Sequence, residues 1–277
     1  METIKQLLAD GEHALADSES ARLDTEILLA LAVGQTRSWL YGWPEHIPAM
    51  PEQHLFLDLV RRRQEGEPVA YLTGRREFWG LALKVNQHVL IPRPETELLV
   101  EKSLEKLKGV TKARVADLGT GSGAIAMALA SEKPDWEILA TDISPEALSV
   151  ALENATEFKL ENIHFFLGNW LQTLEGKKFD AIASNPPYIE TGDRHLQEGD
   201  VRFEPELALV SGDDGLDAIR RIAKDSINCL AKGGWLLLEH GFDQGERVRL
   251  ILTENGYSDV ETSRDLAGHE RVTIASR

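Results

Sequence analysis

Val115-Ala116-Asp117-Leu118-Gly119-Thr120-Gly121-Ser122-Gly123-Ala124 reads as a short apolar strand, a glycine-rich turn and the first residue of a helix. Glycines let a backbone approach a ligand closely, and a helix N-terminus presents unpaired N–H groups and the positive end of a dipole. Outward from this stretch, apolar runs predict strands at 114–118, 137–141, 163–167, 179–184, 234–239, 259–263 and 272–275, with helices in most of the gaps. Such alternation predicts an α/β architecture, a doubly wound and mostly parallel seven-stranded sheet.

The turn alone leaves its ligand open. Gly119, Gly121 and Ala124 also fit the fingerprint of dinucleotide enzymes. Asp117 is the discriminator: its charge opposes a pyrophosphate but suits S-adenosyl-L-methionine, which carries an ammonium and a sulfonium. Asp142 ends the next strand, nineteen residues after Gly123. An acidic residue there can accept hydrogen bonds from both ribose hydroxyls, or cap the helix that opens at Ser144-Pro145.

Upstream the pattern is helical only. Ile4, Leu7, Leu8 and Leu15 fit one helical face, as do Leu23, Ile27, Leu28 and Leu31. A third helix is expected from Pro51-Glu52, with Leu55 and Leu59 inward and Gly66 past its end. The basic run Arg61-Arg62-Arg63 fits a cationic helix C-terminus, or a docking point for a partner. Residues 78–85 and 88–91 flank Asn86-Gln87 and predict a β-hairpin. The expected domains are a helical one at 1–75, a hairpin linker at 76–92 and the sheet domain at 93–277.

The net charge of -16 argues against a nucleic-acid partner, which needs a basic footprint. Residues 1–92 hold nine Lys/Arg against thirteen Asp/Glu, so the helical portion is acidic too. No apolar run approaches a membrane span, and the N-terminus lacks the basic and apolar regions of a signal peptide. Cys229 is the single cysteine. A cytoplasmic, monomeric protein without a metal is expected; the histidines show no ligand spacing, and His240 is read as a structural hydrogen-bonding residue.

Ser184-Asn185-Pro186-Pro187-Tyr188 follows the strand at 179–184. An amide or aromatic amine is a poor nucleophile because its lone pair is delocalised. The Asn185 side-chain oxygen and the Pro186 carbonyl can accept both hydrogens of a planar NH2 group and favour its more tetrahedral form. Pro187 stiffens the loop, and Tyr188 can pack on the flat face of the substrate. The same tetrad suits a glutamine amide or the exocyclic amine of adenine in DNA or RNA.

With Arg75 to Gly80, Ile91-Pro92-Arg93-Pro94-Glu95-Thr96-Glu97 and Gly199 to Pro205, these motifs resemble the PrmC/HemK family across both domains. The resemblance implies a Rossmann-like class I methyltransferase domain and S-adenosyl-L-methionine as methyl donor, with S-adenosyl-L-homocysteine as product. It implies an acceptor glutamine in the Gly-Gly-Gln motif of class I peptide-chain release factors, whose body the helical domain contacts. Gly119, Thr120, Gly121, Ser122 and Gly123 would hold the methionine part with Asp117, Asp142 the ribose, and Asn169 and Trp170 the adenine. Asn185 would touch cofactor and substrate, and Pro186, Pro187 and Tyr188 would grip the glutamine. Asn169 departs from the acidic residue expected in many relatives. Glu95 and Thr96 open a helix and are candidates for closing the pocket over substrate. Arg202, Phe203 and Glu204 are expected to form a lid.

Overall fold

The computed structural model describes residues 2–277. They form two compact units, one of Met1–Arg75 with Gln197–Phe203, the other of Arg76–Leu196 with Glu204–Arg277.

The first unit holds α1 (Ile4–Ala14), α2 (Ala21–Ala32), α3 (Arg37–Gly42), α4 (Met50–Gln64) and α5 (Val69–Thr73). Thr3 opens α1 in a capping box: its hydroxyl accepts from the Gln6 N–H at 3.3 Å while the Gln6 side chain accepts from the Thr3 N–H at 2.9 Å. Ile4, Leu7, Leu28, Leu29, Leu40, Phe56 and Leu59 make the core. The expected faces of α2 and α4 are rotated, because Leu23, Leu31 and Leu55 lie exposed. In their place α2 buries Asp24, Thr25 and Glu26, and α4 buries Gln53 and Phe56.

Polar partners outweigh apolar pattern there. Arg63 bonds buried Asp24 at 2.9 Å, and Glu26 accepts from Arg22, Arg37 and Tyr41. Burial pushes the Glu26 carboxyl up, but these hydrogen bonds prevail and hold it below its ordinary value. The basic run is spent inside the unit: Arg61 pairs with Asp58 and Glu65, Arg62 with Glu67, Arg63 with Asp24 and Asp200.

The hairpin pairs β1 (Arg75–Phe78) with β2 (Leu81–Lys84). It turns at Trp79-Gly80, not at Asn86-Gln87, and residues 88–91 form no strand. Both turn residues have positive φ, 53° at Trp79 and 72° at Gly80, as a tight two-residue hairpin turn requires. Trp79 is held there by two bonds of 2.9 Å, its backbone N–H to Glu97 and its indole N–H to Glu132.

In the second unit, α6 (Glu97–Lys106) precedes β3 (Arg114–Leu118), α7 (Ala124–Glu132), β4 (Glu137–Asp142), α8 (Pro145–Phe158), β5 (Ile163–Leu167) and β6 (Phe179–Ser184). There follow α9 (Asp217–Cys229), β7 (Leu230–Glu239), α10 (Gly245–Glu254), β8 (Ser258–Arg264) and β9 (Glu270–Ser276). The sheet order is β5-β4-β3-β6-β7-β9-β8, parallel except for antiparallel β9, the strand order of a class I methyltransferase-like fold. Val115, Ile138 and Ala181 face α6 and α7, while Ala116, Leu139 and Ile182 face α9 and α10. The strand period of two thus serves two cores. The strand order reverses between the parallel neighbours β3 and β6, which opens a crevice at their C-terminal ends.

Candidate active site

A cavity of about 490 Å³ opens at that crevice, within the usual range for a small-molecule site. Gly119, Gly121, Asp142, Asn169, Trp170, Asn185 and Pro187 line it, so the residues after β3, β4, β5 and β6 converge. Ser184 ties two of these loops together, its hydroxyl donating to the Leu118 carbonyl at 2.7 Å.

The glycine turn is shaped by its neighbours. Gly119 has φ 71°, and a Cβ there would stand 3.0 Å from the Trp170 ring. Trp170 itself has φ 53°, a conformation a bulky residue holds only when its surroundings impose it. Gly121 donates its N–H to Asp142 Oδ2 at 2.8 Å, and Asp142 Oδ1 accepts from the Ser144 N–H at 2.9 Å. Ser144, not Asp142, caps α8. Burial raises the Asp142 carboxyl and these backbone bonds counter it.

Asp117 lies beneath the turn and outside the cavity lining. Its Oδ2 accepts from the Thr120 hydroxyl at 2.6 Å and the Ala126 N–H at 3.1 Å, whereas Oδ1 is buried without a partner. Burial pushes this carboxyl up to about 7. Thr120, Ser122 and Gly123 also lie outside the lining, and all three build the turn. Thr120 serves Asp117, the Ser122 carbonyl accepts from Asn154, and Gly123 starts α7, where a Cβ would fall 2.6 Å from Met127.

On the facing side, Asn185 donates from Nδ2 to the Thr96 hydroxyl at 3.2 Å. Pro186 is buried. Tyr188 is anchored through its carbonyl, which accepts from Gln244 at 2.9 Å, and burial keeps its phenol protonated. The next residue, Ile189, bridges Val210 in parallel, so the tetrad runs into a braced strand.

Glu95 is exposed and lines a separate groove with Pro94, Glu97 and Glu101. Thr96 does not line the cavity either; it is buried and reaches the site through Asn185. The expected lid is divided. Arg202 donates to the Glu65 carbonyl at 2.6 Å within the helical unit, while buried Glu204 binds the Ile91 N–H at 2.9 Å and pairs with Arg93. His240 has the structural role expected of it, bonded to Thr273 and to the Gly241 carbonyl, both at 2.8 Å.

The comparisons agree with this geometry. The family model of the PrmC N-terminal domain matches residues 6–74, and that of the Methyltransferase small domain matches residues 94–200. A release factor glutamine methyltransferase from Pseudomonas aeruginosa is 52% identical over 274 residues, covering 99% of this chain and 98% of the relative. The chain belongs to the release factor glutamine methyltransferases. An Escherichia coli member is 50% identical over 96% of each chain. A solved methyltransferase from Pyrococcus furiosus shares the fold, with a TM-score of 0.54 at 20% identity over 78% of this chain and 96% of that one. Family membership makes this protein an enzyme that transfers methyl groups.

Sequence reasoning passed over one fully buried carboxylate. Glu239 ends β7, fully buried, with Oε2 unpartnered and its carboxyl pushed up to about 7 by burial. Its signal was a charged residue closing the apolar run Trp235-Leu236-Leu237-Leu238, the same signal that marks Asp117 and Asp142.

Proposed function

We propose that the protein transfers a methyl group from S-adenosyl-L-methionine to the side-chain amide nitrogen of the Gly-Gly-Gln glutamine of class I release factors. The observation that carries this reading is the placement of Asn185. Asn185 lines the same cavity as Gly119, Gly121 and Asp142, in the loop after β6, the strand paired with β3.

The donor set fits the cofactor. Asp117 Oδ1, a buried acceptor without a partner, suits a nearby cation, and a cation there would draw its carboxyl back to the ionised form. Asp142 lines the cavity, and each of its oxygens can accept a hydroxyl beside its one backbone bond, while Trp170 offers a flat apolar wall for a base. When bound, S-adenosyl-L-methionine supplies an electrophilic methyl group on a sulfonium. The chain's own residues then prepare the acceptor. The Asn185 oxygen and the Pro186 carbonyl would accept the two amide hydrogens and so orient the acceptor nitrogen. Once methylated, the nitrogen would be strongly acidic and could release one proton to solvent. No base is required before transfer. A rigid Pro186-Pro187 backbone keeps reorganisation small.

The test is methyl transfer from radiolabelled S-adenosyl-L-methionine to a purified release factor, beside a copy whose Gly-Gly-Gln glutamine is alanine. Label on the unaltered factor alone supports the reading. Label on neither factor but on adenine in DNA or RNA would replace it, an outcome opposed by the charge of -16.

A further inference from the structure

Asn154 lies on α8 with no exposed surface and stands outside the cavity lining. Its side chain makes three hydrogen bonds. Nδ2 donates to the Ser122 carbonyl at 2.9 Å and to the Lys84 carbonyl at 3.1 Å, and Oδ1 accepts from the Lys84 N–H at 2.7 Å. Two carbonyls require the NH2 side and one N–H requires the oxygen, so the amide has a single orientation and both its hydrogens are used.

Each backbone that Asn154 grips runs into the cavity wall. Ser122 sits between Gly121, a lining residue, and Gly123, which opens α7. Lys84 ends β2, and after Val85 and Asn86 the chain lines the cavity from Gln87 to Leu90. We propose that Asn154 is a positioning residue for the cofactor, which locks the glycine turn to the end of β2 and so sets the spacing of two stretches of the cavity wall. The inference rests on the reading that this cavity holds S-adenosyl-L-methionine.

The turn needs such a hold. Glycine occupies three of the five positions from Gly119 to Gly123, so the backbone there has little stiffness of its own. Asp142 holds it at the Gly121 N–H, and Asn154 holds it one residue on, at the Ser122 carbonyl. An apolar side chain in place of Asn154 would fill the space but leave three buried backbone groups without this partner. A turn freed in that way must be ordered again each time the cofactor binds, which weakens binding. Asn185, carried by the loop after β6, keeps its own bond to Thr96, so the chemistry of a bound complex is unaffected.

Affinity for S-adenosyl-L-homocysteine is measured by calorimetry for wild type, N154A, N154D and N162A, beside melting temperature and kcat for methyl transfer at saturating cofactor. Asn162 is the control: it donates to the carbonyls of Ala130, Lys133 and Trp136 and stands outside the cavity lining. N154A should bind about ten- to a hundredfold more weakly and keep kcat within about threefold of wild type. N154D retains an acceptor for the Lys84 N–H but no donor for the Ser122 carbonyl, so it should match N154A. N162A should melt lower yet bind within about twofold of wild type. In the wild type, bound S-adenosyl-L-homocysteine should slow hydrogen exchange at the Lys84 amide more than in the β8–β9 pair, a readout that stands even where the Asn154 variants do not fold. Wild-type affinity in either Asn154 variant overturns the proposal, and so does an equal loss in N162A. A loss confined to kcat, or equal slowing of exchange at Lys84 and in β8–β9, overturns it as well. A wild type that binds no S-adenosyl-L-homocysteine removes the functional reading and this inference together.

Discussion

Asn185 joins the two halves of the chemistry, because it lines the cofactor cavity and carries the acceptor for the substrate amide. Asn185→Ala should bind S-adenosyl-L-methionine within about twofold of wild type and lose about a hundred- to a thousandfold in kcat, the size seen when one transition-state hydrogen-bonding group is removed. Calorimetry beside a transfer assay reads both. Glu239 gives a second prediction, on stability. Its carboxyl is raised from 4.5 to about 7 in the fold, so its contribution is fully present below 4.5 and is lost as pH rises through about 7. Glu239→Gln escapes that loss. Its melting temperature should exceed wild type by roughly 2–4 °C at alkaline pH, and the gap should close as pH falls toward 4.5. Legibility at this scale followed contiguity. Asn185 to Tyr188 and the turn from Gly119 were readable because each motif is one unbroken stretch. Thr96 meets Asn185 only after the fold closes the 89 residues between them.

The central strands of the sheet were legible because parallel strands buried on both faces are near-continuous apolar runs, as in Val115 to Leu118. The hairpin was misplaced for a physical reason. Asn86-Gln87 carries the polar residues usual in a loop, whereas Trp79-Gly80 lies inside an apolar stretch, and Trp79 takes a positive φ only because Glu97 and Glu132 hold it. Gly80 then bears the turn. A Cβ there meets nothing within 4 Å, so Gly80→Ala costs backbone strain alone, about 1–2 kcal/mol. Thermal unfolding should show a drop of roughly 2–6 °C, and Gly80→Asn should recover part of it. An equal loss in both variants would point to packing instead. The helices of the first unit misled in the opposite way, since α2 turns Asp24 and Glu26 inward to meet arginines far along the chain.

At the scale of the whole molecule, two sequence segments make one helical unit, Met1–Arg75 and Gln197–Phe203. The second brings Asp200 to Arg63 at 2.9 Å and Arg202 to the carbonyl of Glu65 at the end of α4. Asp200→Ala leaves Arg63, only 15% exposed, with Asp24 and the Glu67 carbonyl as its partners. Amide hydrogen exchange should quicken in the last turns of α4, with protection unchanged in β3 and β6; exchange rates equal to wild type in α4 would show that the pair contributes nothing. No pattern in residues 197–203 announced this return, because its bonds run to a charged helix end rather than to an apolar face.

That return has a consequence for the order of synthesis. Asp200 follows Arg63 by 137 residues, and at about 5–20 residues per second the ribosome needs roughly 7–27 s to make that stretch. Through this interval the five helices have emerged but lack the segment that completes their unit. The helical unit therefore waits for residues made only after β6 of the other unit, although its five helices precede that whole sheet in the chain.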